Sequence, residues 1–112
     1  MQLVSTTDAG RQIVTVKEDR IDAAVALSFK EGMRSETETG ANVVILDLQQ
    51  VQFVDSSGLG AIVASLKAMG KDRTLALAGL TPTVEKVFRL TRMDSVFPMF
   101  GTLEDALESL DS

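Results

Sequence analysis

The fold is decided by residues 43–60, which read VVILDLQQVQFVDSSGLG. The first part of this stretch, residues 43–48, is apolar except for Asp47, a pattern typical of a central strand covered on both faces. The chain then turns at Asp55-Ser56-Ser57-Gly58, because Asp and Ser are favoured helix N-caps and Gly permits tight turns. An amphipathic helix that ends near Gly70 follows, with apolar residues at helical spacing: Leu59, Ile62, Val63 and Leu66.

Strands and helices alternate on both sides of this unit. Apolar and β-branched runs predict further strands at residues 3–6, 13–16, 74–78 and 96–97, with a turn at residues 8–10 between the first two. Helical spacing predicts a helix capped by Asp22, a helix opened by Thr81-Pro82, and a helix opened by a capping box of Thr102 and Asp105. Residues 36–42 are polar and contain a Gly, so we expect a loop there. This alternation predicts an α/β fold built from parallel βαβ units.

Composition limits the possible classes of function. The chain has 112 residues, a size that suits one domain, and a net charge of −5. We expect no nucleic-acid partner, because neutralising phosphates requires surplus positive charge. There is no Cys and no His, so thiolate catalysis, Cys-ligated metal sites and the Ser-His-Asp triad are excluded. Catalysis by lysine or carboxylate groups survives formally, but most enzyme templates are gone, so we expect no catalytic activity, no metal and no cofactor.

The sequence gives no indication of membrane insertion or export. No apolar run approaches the roughly 20 residues that span a bilayer. Residues 1–6 lack the basic and apolar regions of a secretory signal. We expect a cytoplasmic protein, and the sequence leaves open whether it is a monomer or a weak dimer.

Three stretches of the chain begin a nucleotide-binding or catalytic motif but lack a residue that the motif requires. Gly58-Leu59-Gly60 begins a dinucleotide fingerprint, but Val63 stands at its third glycine position. Gly70-Lys71 is followed by Asp72 instead of the Ser or Thr of a phosphate-binding loop. A nucleophile elbow at Ser56 would need Gly two residues earlier, where Val54 stands.

The turn at residues 55–58 has a structural and a functional interpretation. Asp and Ser at this place are common helix caps, and nothing more is needed to explain them. A hydroxyl at a helix N-terminus is also well placed for phosphorylation, because the helix end favours negative charge. A phosphate there would add about −1.5 to −2 charges at pH 7 and would repel an acidic partner.

The motif Asp55-Ser56-Ser57-Gly58-Leu59-Gly60, after the apolar run at residues 44–48, resembles that of STAS domains. More narrowly, the chain resembles the stand-alone bacterial anti-sigma factor antagonists over nearly its whole length. The resemblance implies a single STAS-like domain over residues 1–112. Its fold would be a small mixed β-sheet of four to five strands flanked by about four helices.

The resemblance also implies a partner-switching function. In that family the unphosphorylated protein binds a serine-kinase anti-sigma factor and frees the sigma factor; phosphorylation releases it, and a serine phosphatase resets the cycle. Carried over, Ser56 is the phosphoacceptor. The family turn of the Gly-Glu-Leu-Asp type corresponds to Asp19-Arg20-Ile21-Asp22, which keeps only the apolar residue and Asp22. The partner-binding residues implied in this way are Asp22, Asp55, Ser56, Ser57, Gly58, Leu59 and Gly60.

Two other classes of function stay open at this point. A STAS subunit of a lipid-transport or stress-sensing assembly would share the fold without a sigma-factor output. A small enzyme or nucleotide-binding domain would need a phosphate loop or a catalytic base, and the sequence offers neither. Separately, Lys86, Arg89 and Arg92 on the third predicted helix form either a solvated face or a docking patch for an acidic partner.

Overall fold

A mixed α/β architecture is found in the computed structural model, which describes residues 1–38 and 40–110. The strands are β1 (Leu3–Asp8), β2 (Arg11–Val16), β3 (Arg20–Ile21), β4 (Val43–Asp47), β5 (Phe53–Val54), β6 (Thr74–Ala78) and β7 (Met99–Phe100). The helices are α1 (Ala26–Thr37), α2 (Ser56–Met69), α3 (Pro82–Leu90) and α4 (Leu103–Ser109), with a short 3-10 turn at Met93–Ser95. The predicted fold class, a small mixed sheet flanked by about four helices, is confirmed.

The main sheet has five strands in the order β1-β2-β4-β6-β7. Strands β1 and β2 form an antiparallel hairpin, whereas β2, β4, β6 and β7 pair in parallel. β4 lies in the middle, with Leu46 opposite Val14 on one side and Leu77 on the other. Its residues from Val44 to Asp47 are all buried, as its nearly continuous apolar sequence predicts.

Helices cover both faces of this sheet. Side chains from α1, α2 and α3 join one face in the larger core, which contains Phe29, Ile62 and Phe88. Alternate strand residues point the other way, and α4 covers them in a smaller core of Ile45, Ala76, Ala78 and Ala106. The last helix is therefore part of the packed layers. No helix of the described residues combines the length and the apolar character needed to cross a bilayer.

A second, two-stranded sheet positions the candidate site. β3 and β5 pair in parallel, with Arg20 opposite Phe53 and Ile21 opposite Val54. Ile21 and Val54 are buried in the larger core, whereas Arg20 and Phe53 are exposed. This short pair, called here the β3–β5 ribbon, leads directly into the first turn of α2. The sequence analysis did not predict it, because two residues per strand give too little periodicity.

Three predictions of local structure are wrong. Asp22 is not the N-cap of α1; the helix begins later, at Ala26, with Val25 before it, and the Asp22 carboxylate instead accepts the Ala24 N–H at 3.1 Å within the preceding turn. The last strand is β7 and not residues 96–97, because Phe97 is buried and packs edge-to-face on Phe88 with 6.2 Å between ring centroids.

The third error concerns the predicted loop at residues 36–42. Helix α1 continues through Thr37, whose hydroxyl donates to the Met33 carbonyl at 2.7 Å. Position 39 of that loop lies outside the described residues, as do positions 111–112 of the predicted domain. The cap of α4 is as predicted: the Thr102 hydroxyl accepts the Asp105 N–H at 3.0 Å.

Candidate functional site

Asp55 links the first turn of α2 to the turn that precedes α1. It occupies the N-cap, and its Oδ1 accepts the Gly58 N–H at 2.9 Å, as expected of an N-cap aspartate. Its Oδ2 accepts the Ala23 N–H at 3.2 Å, from the turn that precedes α1. One carboxylate therefore fixes the first turn of α2 to the turn that follows β3.

Gly58 is required by the close approach of α2 to β3. An added Cβ at this position would lie 1.9 Å from the Ile21 carbonyl oxygen, which is a backbone atom and cannot rotate away. Gly60 differs, because an added Cβ there meets nothing within 4 Å. The first glycine of the motif thus serves packing, and the second lies at the open surface.

Ser56 and Ser57 are the first two residues of α2, and both are exposed. The first N–H groups of an α-helix have no partner within the helix, and together with the helix dipole they favour a negative charge nearby. Asp55 takes the N–H of Gly58, so those of the two serines remain outside the cap. Ser56 is exposed, and an anion attached to it would lie at the end of the helix that favours negative charge.

The outward face of the β3–β5 ribbon continues this surface. The Arg20 guanidinium carbon lies 5.4 Å from the centroid of the Phe53 ring, in the range of a cation–π contact. Arg20 Nη1 lies 3.6 Å from Asp22 Oδ2, and the Arg20 side chain is still 59% exposed. A cation and a flat aromatic ring therefore stand beside the first turn of α2.

The structure brings the predicted site residues together around that turn. Ser56, Ser57 and Gly60 are exposed, and Asp22 and Asp55 are partly exposed. Gly58 is buried, and Leu59 is half-buried against the larger core, so neither presents a full side chain to solvent. The sequence analysis grouped these residues, but it did not distinguish the exposed ones from the buried ones.

Three participants were missed by the sequence analysis. Arg20 and Phe53 received no role, and Ala23 supplies an N–H that no side-chain motif reveals. The sequence carried no signal for Phe53, because Phe53 and Val54 are both apolar; the alternation of exposed and buried residues that this run shares with Arg20-Ile21 is visible only in the structure.

The predicted basic group is partly neutralised by nearby acids, and only Lys86 and Arg89 of it lie on α3, because the helix ends at Leu90, before Arg92. Arg89 donates to Glu85 at 2.9 Å and lies 3.5 Å from Asp94. The hydrogen bond and the charge of Glu85 raise the pKa of Arg89 above its ordinary value. This pairing favours the solvated-face interpretation for Arg89.

Two cavities lie away from Ser56. A groove of about 360 Å³ between α1 and α2 is lined by residues such as Leu27, Arg34 and Ala68, and a second cavity of about 460 Å³ is lined by Gln49, Gly79 and Thr102 among others. Neither is lined by Ser56. Within residues 1–38 and 40–110, no group of three or more His, Cys, Asp or Glu side chains is placed to hold a metal ion.

Comparison with known proteins gives consistent matches. The STAS domain family matches residues 3–106. Relatives from Thermotoga neapolitana and Thermotoga maritima, both named provisionally as anti-sigma factor antagonists, are 33% identical over 72 residues. The match covers 63% of this chain and 64% of each relative, so the chain spans just under two thirds of their length.

Two further matches cover more of the chain. An anti-sigma-F factor antagonist from Mycobacterium tuberculosis is 25% identical over 87 residues, which are 78% of this chain and 71% of that protein. The crystal structure of an anti-sigma factor antagonist from Mycobacterium paratuberculosis is 25% identical, with a TM-score of 0.86 over 96% of this chain and 92% of that one. Since the family match spans most of the sequence and the fold agrees with a solved antagonist, this chain belongs to the STAS domain family.

Proposed function

We propose that this protein is an anti-sigma factor antagonist that acts by partner switching, with Ser56 as its phosphoacceptor. The observation that carries the proposal is the exposed hydroxyl of Ser56 in the first turn of α2. The names of the relatives support the class of function. The unphosphorylated protein binds a serine-kinase anti-sigma factor, phosphorylation of Ser56 releases that kinase, and a serine phosphatase restores the binding form.

The chemical step needs only a hydroxyl from this chain. Ser56 Oγ attacks the γ-phosphorus of ATP held by the kinase. The Oγ–P bond forms as the bond from the γ-phosphorus to the β,γ-bridging oxygen breaks; ADP leaves, and the hydroxyl proton passes to a base of the kinase. The nucleotide, the metal ion and the base all belong to the kinase, which suits a chain without His or Cys.

Release follows from local electrostatics. The phosphate adds about −1.5 to −2 charges at pH 7 to a surface that already carries Asp22 and Asp55. The N-terminus of α2 accommodates the anion, so the fold does not have to open. An acidic group of the kinase that sits against this surface is then repelled.

The other predicted site residues contribute to this partner surface in two ways. Ser57, Gly60 and Asp22 meet the kinase directly, whereas Asp55, Gly58 and Leu59 hold the turn in shape. Residues 1–112 act as a single cytoplasmic domain, as a monomer or weak dimer, with no nucleic-acid partner and no membrane insertion.

The test is a phosphorylation assay with the cognate serine-kinase anti-sigma factor and ATP. Wild type incorporates one phosphate, and Ser56→Ala incorporates none while still binding the kinase. Ser57→Ala is the comparison variant, because Ser57 is the exposed neighbour on the same helix turn; it loses a kinase contact and binds more weakly, but at saturating kinase it still incorporates one phosphate. Equal incorporation by wild type and Ser56→Ala would overturn the site assignment.

A further inference from the structure

The outward face of the β3–β5 ribbon is held rigidly by its inward face. Ile21 and Val54 are 0% and 2% exposed and belong to the larger core, whereas Phe53 is 41% exposed. Side chains alternate between the two faces of a strand, so Arg20 and Phe53 share the outer one. The continuing chain adds Asp22 and Asp55 beside them.

Arg20 is held in place without being buried. Its guanidinium lies over the Phe53 ring at 5.4 Å and 3.6 Å from the Asp22 carboxylate, yet more than half of the side chain is open to solvent. A long side chain normally loses rotamer freedom when it binds a partner, which opposes binding. Stacking on Phe53 removes part of that freedom in advance.

Arg20 adds unused N–H donors to this face, beside carboxylates whose oxygens already accept hydrogen bonds. Both oxygens of Asp55 and one oxygen of Asp22 accept backbone N–H groups. An arginine carries five N–H donors, and in the part of the chain that the structure describes Arg20 makes the single 3.6 Å ionic contact with Asp22. Such a planar set of donors pairs in a bidentate manner with a carboxylate or a phosphate, and among unmodified protein side chains the carboxylate is the group that fits.

We propose that Arg20, supported by Phe53, is the contact by which this protein selects its anti-sigma factor, and that it binds a carboxylate side chain of that kinase. This inference rests on the proposed function and names the chemistry of the partner at the same site. Arg and aromatic residues are enriched among the contacts that dominate binding energy at protein interfaces. A kinase with a basic or neutral residue opposite Arg20 binds this protein more weakly.

The contact lies within the same footprint as the phosphoacceptor. Ser56 is three residues beyond Phe53, so their Cα atoms are at most about 11 Å apart. A kinase carboxylate that reaches Arg20 is therefore close to a phosphate on Ser56. Arg20 attracts this acidic group before phosphorylation, and the phosphate on Ser56 repels the same group afterwards.

The experiment measures the Kd of the purified cognate kinase for wild type and for Arg20→Glu by calorimetry. Arg34→Glu is the matched control, because Arg34 is an exposed arginine eight residues after the start of α1 and carries the same change in charge. We expect Arg20→Glu to weaken binding about 30-fold and Arg34→Glu to change it less than about threefold. Both variants keep the melting temperature within about 3 °C.

Two further measurements identify the partner group. Added salt weakens kinase binding by wild type more than kinase binding by Arg20→Ala, because an ion pair is screened and an apolar contact is not. Replacing the acidic residues of the kinase by Lys one at a time yields one kinase variant that restores binding of Arg20→Glu. Rescue of that kind supports the proposal.

The outcomes separate this inference from the proposed function. If wild type is phosphorylated at Ser56 but Arg20→Glu binds within threefold of wild type, the inference is overturned and the proposed function stands. If wild type neither binds nor is phosphorylated by the kinase, both are overturned.

Discussion

At the residue scale, Asp55 and Gly58 matter for shape before they matter for binding. The Asp55 carboxylate caps α2 and also holds the turn before α1, while Gly58 lets the first turn of α2 approach the backbone of β3. Both lie beside the Ser56 hydroxyl that the proposed kinase must reach. A substitution at either residue therefore changes binding partly through the position of Ser56.

Asp55→Ala is expected to lower the free energy of unfolding by about 1–2 kcal/mol, because it removes the cap of α2 and leaves the Ala23 N–H without its acceptor. Asp55→Asn keeps one side-chain oxygen and is expected to lose less. Urea unfolding followed by circular dichroism measures both. Equal stability of the alanine variant and wild type would contradict the double role of Asp55.

Gly58→Ala is expected to destabilise the fold by about 1–3 kcal/mol or more, because the new methyl group overlaps the Ile21 carbonyl and the backbone must shift. The matched control is Gly60→Ala, whose methyl group meets open space within the same helix. That variant should gain about 0.5–1 kcal/mol, since Ala is the better helix former. Chemical denaturation of both separates steric overlap from helix propensity, and a stable Gly58→Ala variant would refute the close approach.

At the element scale, α4 closes the second face of the sheet. Its Ala106 packs with Ile45 and two alanines of β6, and small residues let this short helix lie close to the strands. Its C-terminal end is held by Arg11 of β2, which donates to the carbonyls of Leu107 and Leu110. The Arg11 guanidinium thus gives a hydrogen-bond donor to carbonyl groups at the end of α4.

Arg11→Ala is expected to loosen α4 locally. Loss of hydrogen bonds from a charged donor costs about 1.5–3 kcal/mol, so the amides of α4 should exchange with solvent roughly 10-fold faster or more. Amides of β4, which lies in the centre of the sheet, should change far less. The control is Arg34→Ala, an exposed position on α1. If amide exchange became faster to the same extent in every element, Arg11 would not be holding α4 locally.

At the scale of the whole molecule, the proposed switch acts without refolding. Ser56 is exposed, and the larger core is formed by other residues of the surrounding elements. A charge added at this surface meets the favourable end of the α2 dipole. The global stability and the binding of the kinase should therefore respond independently.

Ser56→Asp tests that independence. The free energy of unfolding should stay within about 0.5 kcal/mol of wild type, as for a typical surface substitution, while kinase binding weakens. Ser95→Asp is the control for an added negative charge, because Ser95 is an exposed serine outside the candidate site. Thermal unfolding and calorimetric binding are measured on the same samples. A large loss of stability in Ser56→Asp would rule out a switch confined to the surface.

The sequence by itself determined the α/β class, the central strand β4 and the helix that begins at Ser56, because long apolar runs and strong caps are local signals. It also grouped most of the candidate site, since those residues are adjacent in the chain. Only the tertiary structure showed the β3–β5 ribbon, Arg20 over Phe53, and the second bond of Asp55 to Ala23. These contacts join residues about thirty positions apart, and no local periodicity encodes them. The start of α1 and the position of β7 were also missed: Ala23 in the turn before α1 donates to Asp55, and Phe97 packs on Phe88 instead of joining the sheet.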